Sequence, residues 1–186
     1  LAWQVALFMG FQSLTFYVVL AWLPDLLQSR GVSAATAGLL LALSQATGIA
    51  GSAIVPFRAQ RSAGQGRIVL ILAAVELISL VGLLAASTTW VAAISVAMLG
   101  FVMGGTFSLA LLFLVLRAPD THMATSLSGM AQSIGYGVAA VGPALIGLVR
   151  DLTGSWTAPL LCLFGALAAK VVSGMGAGRD RVLSAR

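Results

Sequence analysis

Residues 131–143, AQSIGYGVAAVGP, decide the kind of fold. The stretch carries no charge, and it places Gln132 and Tyr136 one helical turn apart among glycines and a final proline. In a soluble protein, this mixture of hydrogen-bonding groups and helix breakers predicts a loop. In a membrane, where each backbone group must bond within its own segment, a spanning helix has to accommodate it. The rest of the chain decides between these two interpretations.

The composition of the chain favours the membrane. Of the 186 residues, 60% are hydrophobic and 8% are charged, whereas about 25% are charged in an ordinary soluble domain. Five acidic and ten basic residues are too few to cover the surface of a soluble protein of this length. We therefore predict a polytopic membrane protein. Because the chain starts at Leu1 without a methionine or a basic leader, we expect a piece of a longer protein.

Six apolar stretches are long enough to cross a bilayer, since a span needs about 20 residues. The sequence predicts an all-α membrane protein in which residues 1–186 form one six-helix transmembrane half-domain. The predicted spans are roughly 4–27, 34–56, 67–87, 90–116, 124–149 and 156–174.

The charged residues between the spans predict the orientation. One side of the membrane would carry Arg58, Arg61, Arg67, Arg117, Lys170, Arg179, Arg181 and Arg186, and the other Arg30 and Arg150. Because cytoplasmic loops are enriched in basic residues, we expect both ends of the chain in the cytoplasm, with Lys170 extending to the headgroups. The basic residues form no patch with interleaved aromatic residues, so nucleic acid is not expected as a partner.

An internal repeat is visible in the second and fifth spans. Gln45, Gly48 and Pro56 recur as Gln132, Gly135 and Pro143, at an offset of 87 residues. Transporters are often built from inverted three-helix repeats. The match predicts two such repeats, although chance similarity between Gly- and Ala-rich helices is the alternative.

Uncharged polar residues concentrate in the first, second, fourth and fifth spans, which predicts that these spans line a wet or protein-packed interior. The main candidates are Gln12, Ser13, Tyr17, Gln45, Thr106, Ser108, Gln132 and Tyr136. The alternative for each glutamine is an interhelical hydrogen bond without a ligand, and for each tyrosine ordinary packing. Small residues predict two close-packing faces. These faces are Gly100 with Gly104, and Gly129 with Ser133, Gly137 and Ala140.

Glu76 is the one acidic residue deep inside a predicted span. A carboxylate at that depth is costly unless it is paired, so such residues are functional candidates. No basic partner is evident in the sequence, and we therefore expect Glu76 to be protonated. Proton coupling is the predicted role, and a structural acid is the alternative.

Enzyme chemistry finds little support. Cys162 is the single cysteine and His122 the single histidine, so neither a CxxC pair nor an HExxH zinc motif is present. A serine hydrolase needs a base beside its nucleophile, and no histidine falls inside a span. We predict a protein that is not an enzyme and has no metal site and no cofactor.

Two long stretches resemble the C-terminal half of major facilitator superfamily transporters. They are LAWQVALFMGFQSLTFYVVLAWLPDLL, residues 1–27, and LRAPDTHMATSLSGMAQSIGYGVAAVGPALIGLVRDLTGSW, residues 116–156. The branch they resemble is the bacterial cyanate and nitroimidazole transporter family. The resemblance implies that an N-terminal six-helix half is absent from this chain, and that this half is a partner alongside the lipid bilayer.

The resemblance also implies a function and a site. The function would be alternating-access transport of a small anion or small polar solute, cyanate-like or nitroimidazole-like, in the bacterial inner membrane and coupled to protons. By position, the cavity candidates are Gln12, Ser13, Phe16, Tyr17, Gly104, Thr106 and Ser108, while Gln45, Gln132 and Tyr136 would face the other half or the gate.

One position departs from the superfamily, and two other readings stay open. Gln60 stands where the superfamily's loop signature has an acid before Arg61, which puts a charge-relay gate there in doubt.

A non-transporting six-helix membrane module, receptor-like or an assembly subunit, is the rival class. A small carrier that works as a homodimer of six-helix units is the third reading.

Overall fold

The structure, a computed structural model, describes residues 1–62 and 64–183. Within these ranges the regular structure is helical. The helices are α1 (Ala2–Gln28), α2 (Ala34–Ala59), α3 (Gly66–Ala85), α4 (Thr89–Leu116), α5 (Thr121–Thr153) and α6 (Thr157–Ala177). Each is long and apolar enough to cross a membrane. The predicted all-α fold with six transmembrane helices is therefore confirmed.

The stretch AQSIGYGVAAVGP lies inside α5 and is helical throughout, as the membrane interpretation predicts. The helix extends beyond the predicted span 124–149 at both ends. Pro143 lies within α5, and its repeat mate Pro56 lies within the last turn of α2.

Short polar segments set the helix boundaries. Ser33, Thr88 and Asp120 each precede a helix, and each side chain accepts a hydrogen bond from the backbone N–H three residues further along. Such caps satisfy one of the free N–H groups at a helix start. Gly154 ends α5 with φ 63°, in the left-handed region that favours glycine. The connections are short, so consecutive helices run antiparallel.

Two arginines close the C-terminal ends of α3 and α6. Arg30, after α1, donates to the carbonyl oxygen of Leu83. Arg117, at the end of α4, donates from Nε to the carbonyl oxygen of Ala177 at 2.8 Å. A cation suits a helix C-terminus, where carbonyl groups lack partners within the helix. Burial lowers the pKa of Arg30 and of Arg117 from the ordinary arginine value.

The helix packing follows an inverted repeat. Helix α1 packs most extensively on α5, and in the same way α4 packs most extensively on α2. Helix α1 also packs on α6, as α4 packs on α3. Helices α3 and α6 contact each other. Exchanging the first three helices for the last three leaves this set of contacts unchanged. The predicted architecture of two inverted three-helix repeats is therefore present in the structure.

The glycines of α4 permit a close approach to α2. A Cβ atom on Gly104 would collide with the backbone of Gly48, and a Cβ on Gly100 would collide with the backbone of Ser44. The predicted close-packing face at Gly100 and Gly104 is thus confirmed. In α5, Gly135 makes the equivalent approach to Met9 and Gly10 of α1.

The predicted packing face of α5 at Gly129, Ser133, Gly137 and Ala140 is wrong within this chain. A Cβ atom on Gly129 or Gly137 would meet open space, and all four residues are exposed. Helix α5 is instead rotated so that Gly135 and Gly142 meet α1. The apolar side chains of α1, including Met9 and Leu14, fit into the space beside those two glycines, and this contact fixes the rotation.

Candidate functional site

A cavity of about 180 Å³ opens between α1, α4 and α5, near the middle of the bundle. It is lined by Gln12, Ser13, Phe16, Tyr17, Met103, Gly104, Phe107 and Tyr136. Among these residues none is charged. The arrangement combines hydrogen-bonding side chains with aromatic rings, which is the general character of a small-molecule site.

Gln12 supplies a buried amide to the cavity wall. Its side chain is buried, with 1% of the residue exposed, and its Nε2 donates to Ser13 Oγ at 2.6 Å. Its Oε1 is buried and has no hydrogen-bond partner among the described residues. An unsatisfied buried acceptor is costly. The amide of Gln12 is therefore a candidate binding group.

Four aromatic residues surround the polar groups. The rings of Phe16 and Tyr17 meet edge to face, with centroids 5.4 Å apart. Tyr17 and Tyr136 are each 41% exposed, and Phe107 is also exposed at the mouth of the cavity. Aromatic faces and edges bind planar ligands through offset stacking and edge contacts.

A second cavity of about 180 Å³ adjoins the first, and both are lined by Phe16, Met103 and Gly104. It adds polar residues of α2, which are Ser44, Gln45 and Ser52. Gln45 donates from Nε2 to Ser44 Oγ at 3.3 Å. The sequence candidate Gln45 therefore lies beside the main cavity rather than in it.

The remaining candidates lie outside the main cavity. Thr106 is buried, and its hydroxyl donates to the carbonyl oxygen of Val102 in its own helix at 2.8 Å. Gln132 donates from Nε2 to Ser128 Oγ at 2.6 Å. Neither Gln132 nor Ser108 is among the residues that line the described cavities. Their roles in binding stay predictions.

Met103 and Phe107 are the lining residues that the sequence reasoning missed. Both are apolar and lie in an apolar helix, so a search for polar residues passes over them. A signal existed in the repeat, because Gln12 and Phe16 of α1 correspond to Met103 and Phe107 of α4 at an offset of 91 residues. The same offset joins Thr15 to Thr106, and each of these threonines donates to the carbonyl oxygen four residues earlier. The cavity therefore lies between symmetry-related positions of the two repeats.

Glu76 lies apart from the cavity, on α3, and it has a basic partner. Lys170 Nζ of α6 donates to Glu76 Oε1 at 2.7 Å and to Oε2 at 2.8 Å. The expectation that Glu76 lacks a partner is wrong, and so is the expectation that Lys170 reaches the headgroups. Lys170 is only 3% exposed because α3 and α6 enclose it beside the carboxylate. Proton coupling at Glu76 stays a prediction.

Comparison with known proteins finds bacterial transporters. No family model matches the chain. The chain is 43% identical over 183 residues to the uncharacterized transporter YycB of Bacillus subtilis, a match that covers 98% of this chain and 46% of the relative. It is 39% identical over 184 residues to the 2-nitroimidazole transporter of Escherichia coli, with 97% of this chain and 46% of the relative covered.

A more distant relative is the cyanate transport protein CynX of Escherichia coli, 25% identical over 174 residues, with 89% of this chain and 44% of the relative covered. The chain thus spans about half the length of each of these three relatives. The described residues of this chain form six helices that are long and apolar enough to cross a membrane. Along almost its whole length, the chain is therefore similar to about half of bacterial membrane transporters that include YycB and the 2-nitroimidazole transporter, which is consistent with one half of a major facilitator transporter.

Proposed function

We propose that this chain is the C-terminal half of a secondary active transporter that moves a small anion or small polar solute by alternating access. The observation that carries the proposal is the uncharged cavity between symmetry-related helices, whose lining includes Gln12 with its buried and unpartnered Oε1. A carrier needs groups that form hydrogen bonds with a solute and release it again. A hydrogen-bond acceptor with no internal partner meets that need.

The cavity chemistry favours a planar polar solute over a bare anion. Two of the relatives are named for a solute, one for 2-nitroimidazole and one for cyanate. A nitroimidazole-like ring would donate its N–H to Gln12 Oε1 and lie against Phe16 or Tyr17. A cyanate-like anion would need a cation, and the residues that line the described cavity supply none. For an anionic substrate, the second half of the carrier would provide that charge.

The second half of the carrier is the proposed partner. The relatives are about twice as long as this chain, and α2 and α5 each leave a stripe of small residues exposed. The stripe of α5 is Gly129, Ser133, Gly137 and Ala140, and the stripe of α2 is Ala42, Ala46, Ala50 and Ala53. Small residues let helices approach closely within a membrane. Both stripes would therefore receive helices of the second half.

The orientation follows from the charges. We place the bundle in the bacterial inner membrane with both ends of the chain in the cytoplasm, because Arg58, Arg61 and Arg67 lie between α2 and α3 or beside that loop. Even without the buried Lys170, the proposed cytoplasmic side carries more basic residues than the opposite side. Trp90, 81% exposed, lies at the opposite end of the bundle, where an aromatic belt is expected.

Two alternative roles are open to Glu76, proton coupling and a structural role as an ion-paired acid. Among the described residues, Glu76 is the one carboxyl group near the middle of a spanning helix. It is therefore the coupling candidate that this chain offers. To take up a proton, Glu76 would have to release Lys170, which donates to both of its oxygens.

The proposal is tested by uptake of radiolabelled 2-nitroimidazole and cyanate into cells that produce the full-length protein. Gln12→Ala removes the free acceptor, and Gln28→Ala is the matched control because Gln28 is exposed at the end of α1. A lost hydrogen bond is worth about 1 kcal/mol, so uptake by Gln12→Ala should fall roughly fivefold at equal membrane abundance, while Gln28→Ala stays near wild type. Equal uptake by both variants would reject the cavity as the binding site.

A further inference from the structure

The ion pair of Glu76 and Lys170 is the most enclosed charged contact in the described chain. Glu76 is 0% exposed and Lys170 is 3% exposed. Both carboxylate oxygens accept from Nζ, at 2.7 and 2.8 Å. The pair joins the centre of α3 to α6, and neither residue lines the cavity. Its position gives it no direct route to a solute in the cavity.

Glu76 and Lys170 occupy equivalent positions in the two repeats. They are 94 residues apart, and the same offset joins other matching features of α3 and α6. Ser79 and Ser173 each donate to the carbonyl oxygen four residues earlier, at 2.7 and 2.8 Å. The arginine contacts show the same offset. Arg30 donates to the carbonyl oxygen of Leu83 and Arg117 to that of Ala177, and these two acceptors are also 94 residues apart.

The glycine contacts support the same correspondence. Gly82 of α3 lies against Ser95 of α4, and Gly176 of α6 lies against Gln4 of α1. Gly82 and Gly176 differ by the offset of α3 and α6, while Gln4 and Ser95 differ by the offset of 91 residues found for α1 and α4. One two-fold operation therefore relates both contacts.

A contact between two equivalent positions must lie on the axis that exchanges them. The Glu76 carboxylate and the Lys170 ammonium thus meet at the pseudo-two-fold axis of the bundle, where α3 and α6 contact each other. Identical charges at this point would repel each other. One repeat supplies the anion at this point and the other supplies the cation.

We infer that Glu76 and Lys170 are positioning residues, a fixed and mutually neutralising pair that holds the two repeats in register at their shared axis. The pair stays charged and closed during transport, because a buried charge that loses its partner is strongly destabilising. Since the surroundings of the two positions are related by the pseudo-two-fold, the order of the charges does not matter. The protein tolerates Glu at 170 and Lys at 76.

Four variants of the full-length protein test this inference. The single variants are Glu76→Gln and Lys170→Met. The paired variants are the neutral Glu76→Gln/Lys170→Met and the reversed Glu76→Lys/Lys170→Glu. The measurements are folded protein in the membrane, by fluorescence-detected size exclusion, and the pH profile of solute uptake. We expect each single variant to lose folded protein at least tenfold, and both paired variants to regain at least half of the wild-type amount.

An off-axis pair supplies the matched control. Arg117 Nη1 lies 3.9 Å from Asp180 Oδ1. Arg117 also donates to the carbonyl oxygen of Ala177 and to Gln65 Oε1. Because Asp at position 117 could not make these donations, the reversal Arg117→Asp/Asp180→Arg should not be recovered. Recovery of the axial reversal alone supports the inference.

The uptake profile separates this role from proton coupling. For the reversed pair, we expect uptake of radiolabelled 2-nitroimidazole with the wild-type dependence on pH. Three results overturn it. These are a reversed pair that folds no better than the single variants, normal folding of Glu76→Gln alone, and a reversed pair that folds but loses the pH dependence of uptake. The last two results would return Glu76 to a direct role in coupling.

Discussion

The indole N–H of Trp22 donates to the carbonyl oxygen of Pro143 at 2.8 Å, joining α1 to α5 across 121 residues of sequence. Trp22 also lies against Gly147 and packs on Trp156, with ring centroids 5.9 Å apart. The donor and the acceptor belong to different repeats. The contact therefore fixes α1 on α5 at the end of the bundle opposite the chain termini.

Trp22→Phe should lower the stability of the full-length protein. The change removes one donor and leaves the Pro143 carbonyl without it, which should cost about 1 kcal/mol from the hydrogen bond alone, before any loss of packing. Thermal unfolding in detergent, followed by loss of monodisperse protein, measures the effect. Trp90→Phe is the control, since Trp90 is 81% exposed. Equal melting temperatures for the two variants would contradict the assigned contact.

Gly51→Ala should destabilise the contact between α2 and α4. A Cβ atom at Gly51 would collide with the carbonyl oxygen of Phe101, which is backbone and cannot move aside alone. Overpacking of this kind costs about 1–3 kcal/mol. The matched control is Gly165→Ala in α6, where an added Cβ meets nothing within 4 Å. The same unfolding assay should show a loss at Gly51 and none at Gly165; the reverse order would refute the close approach.

Gly137→Leu tests the proposed second half. The residue is exposed in the small-residue stripe of α5, and a Cβ there meets open space within this chain. If a helix of the second half packs on this stripe, the larger side chain should reduce uptake at least about tenfold, which corresponds to about 1.4 kcal/mol. Gly165→Leu adds the same bulk on α6 and should leave uptake unchanged. Full uptake by Gly137→Leu would mean that the stripe faces lipid.

The fold was predictable because span length and composition leave few choices in a membrane. Periodicity alone did not give the rotation of each helix about its axis. Gly129 and Gly137 have the spacing of a packing face, yet Gly135 and Gly142 meet α1 instead. Rotation depends on how side chains of two helices fit together, and a single helix sequence does not contain that information.

The site was partly predictable for a similar reason. Gln12, Ser13 and Tyr17 stand out because polar groups are costly in an apolar span. Met103 and Phe107 carry no such mark, and only the repeat offset connects them to Gln12 and Phe16. Lys170 looked free to reach the headgroups because its partner lies 94 residues away on another helix. Pairing between distant helices becomes visible once the inverted repeat is applied to α3 and α6.

The central claim is that the cavity of Gln12 and the aromatic residues carries a solute across the membrane. Counterflow in proteoliposomes tests it most directly, with purified full-length protein, unlabelled 2-nitroimidazole or cyanate inside and the labelled solute outside. The account predicts transient accumulation of label for at least one solute, reduced in Gln12→Ala and retained in Gln28→Ala. Accumulation that is the same in wild type and Gln12→Ala, or no accumulation of either solute by the wild type, would contradict it.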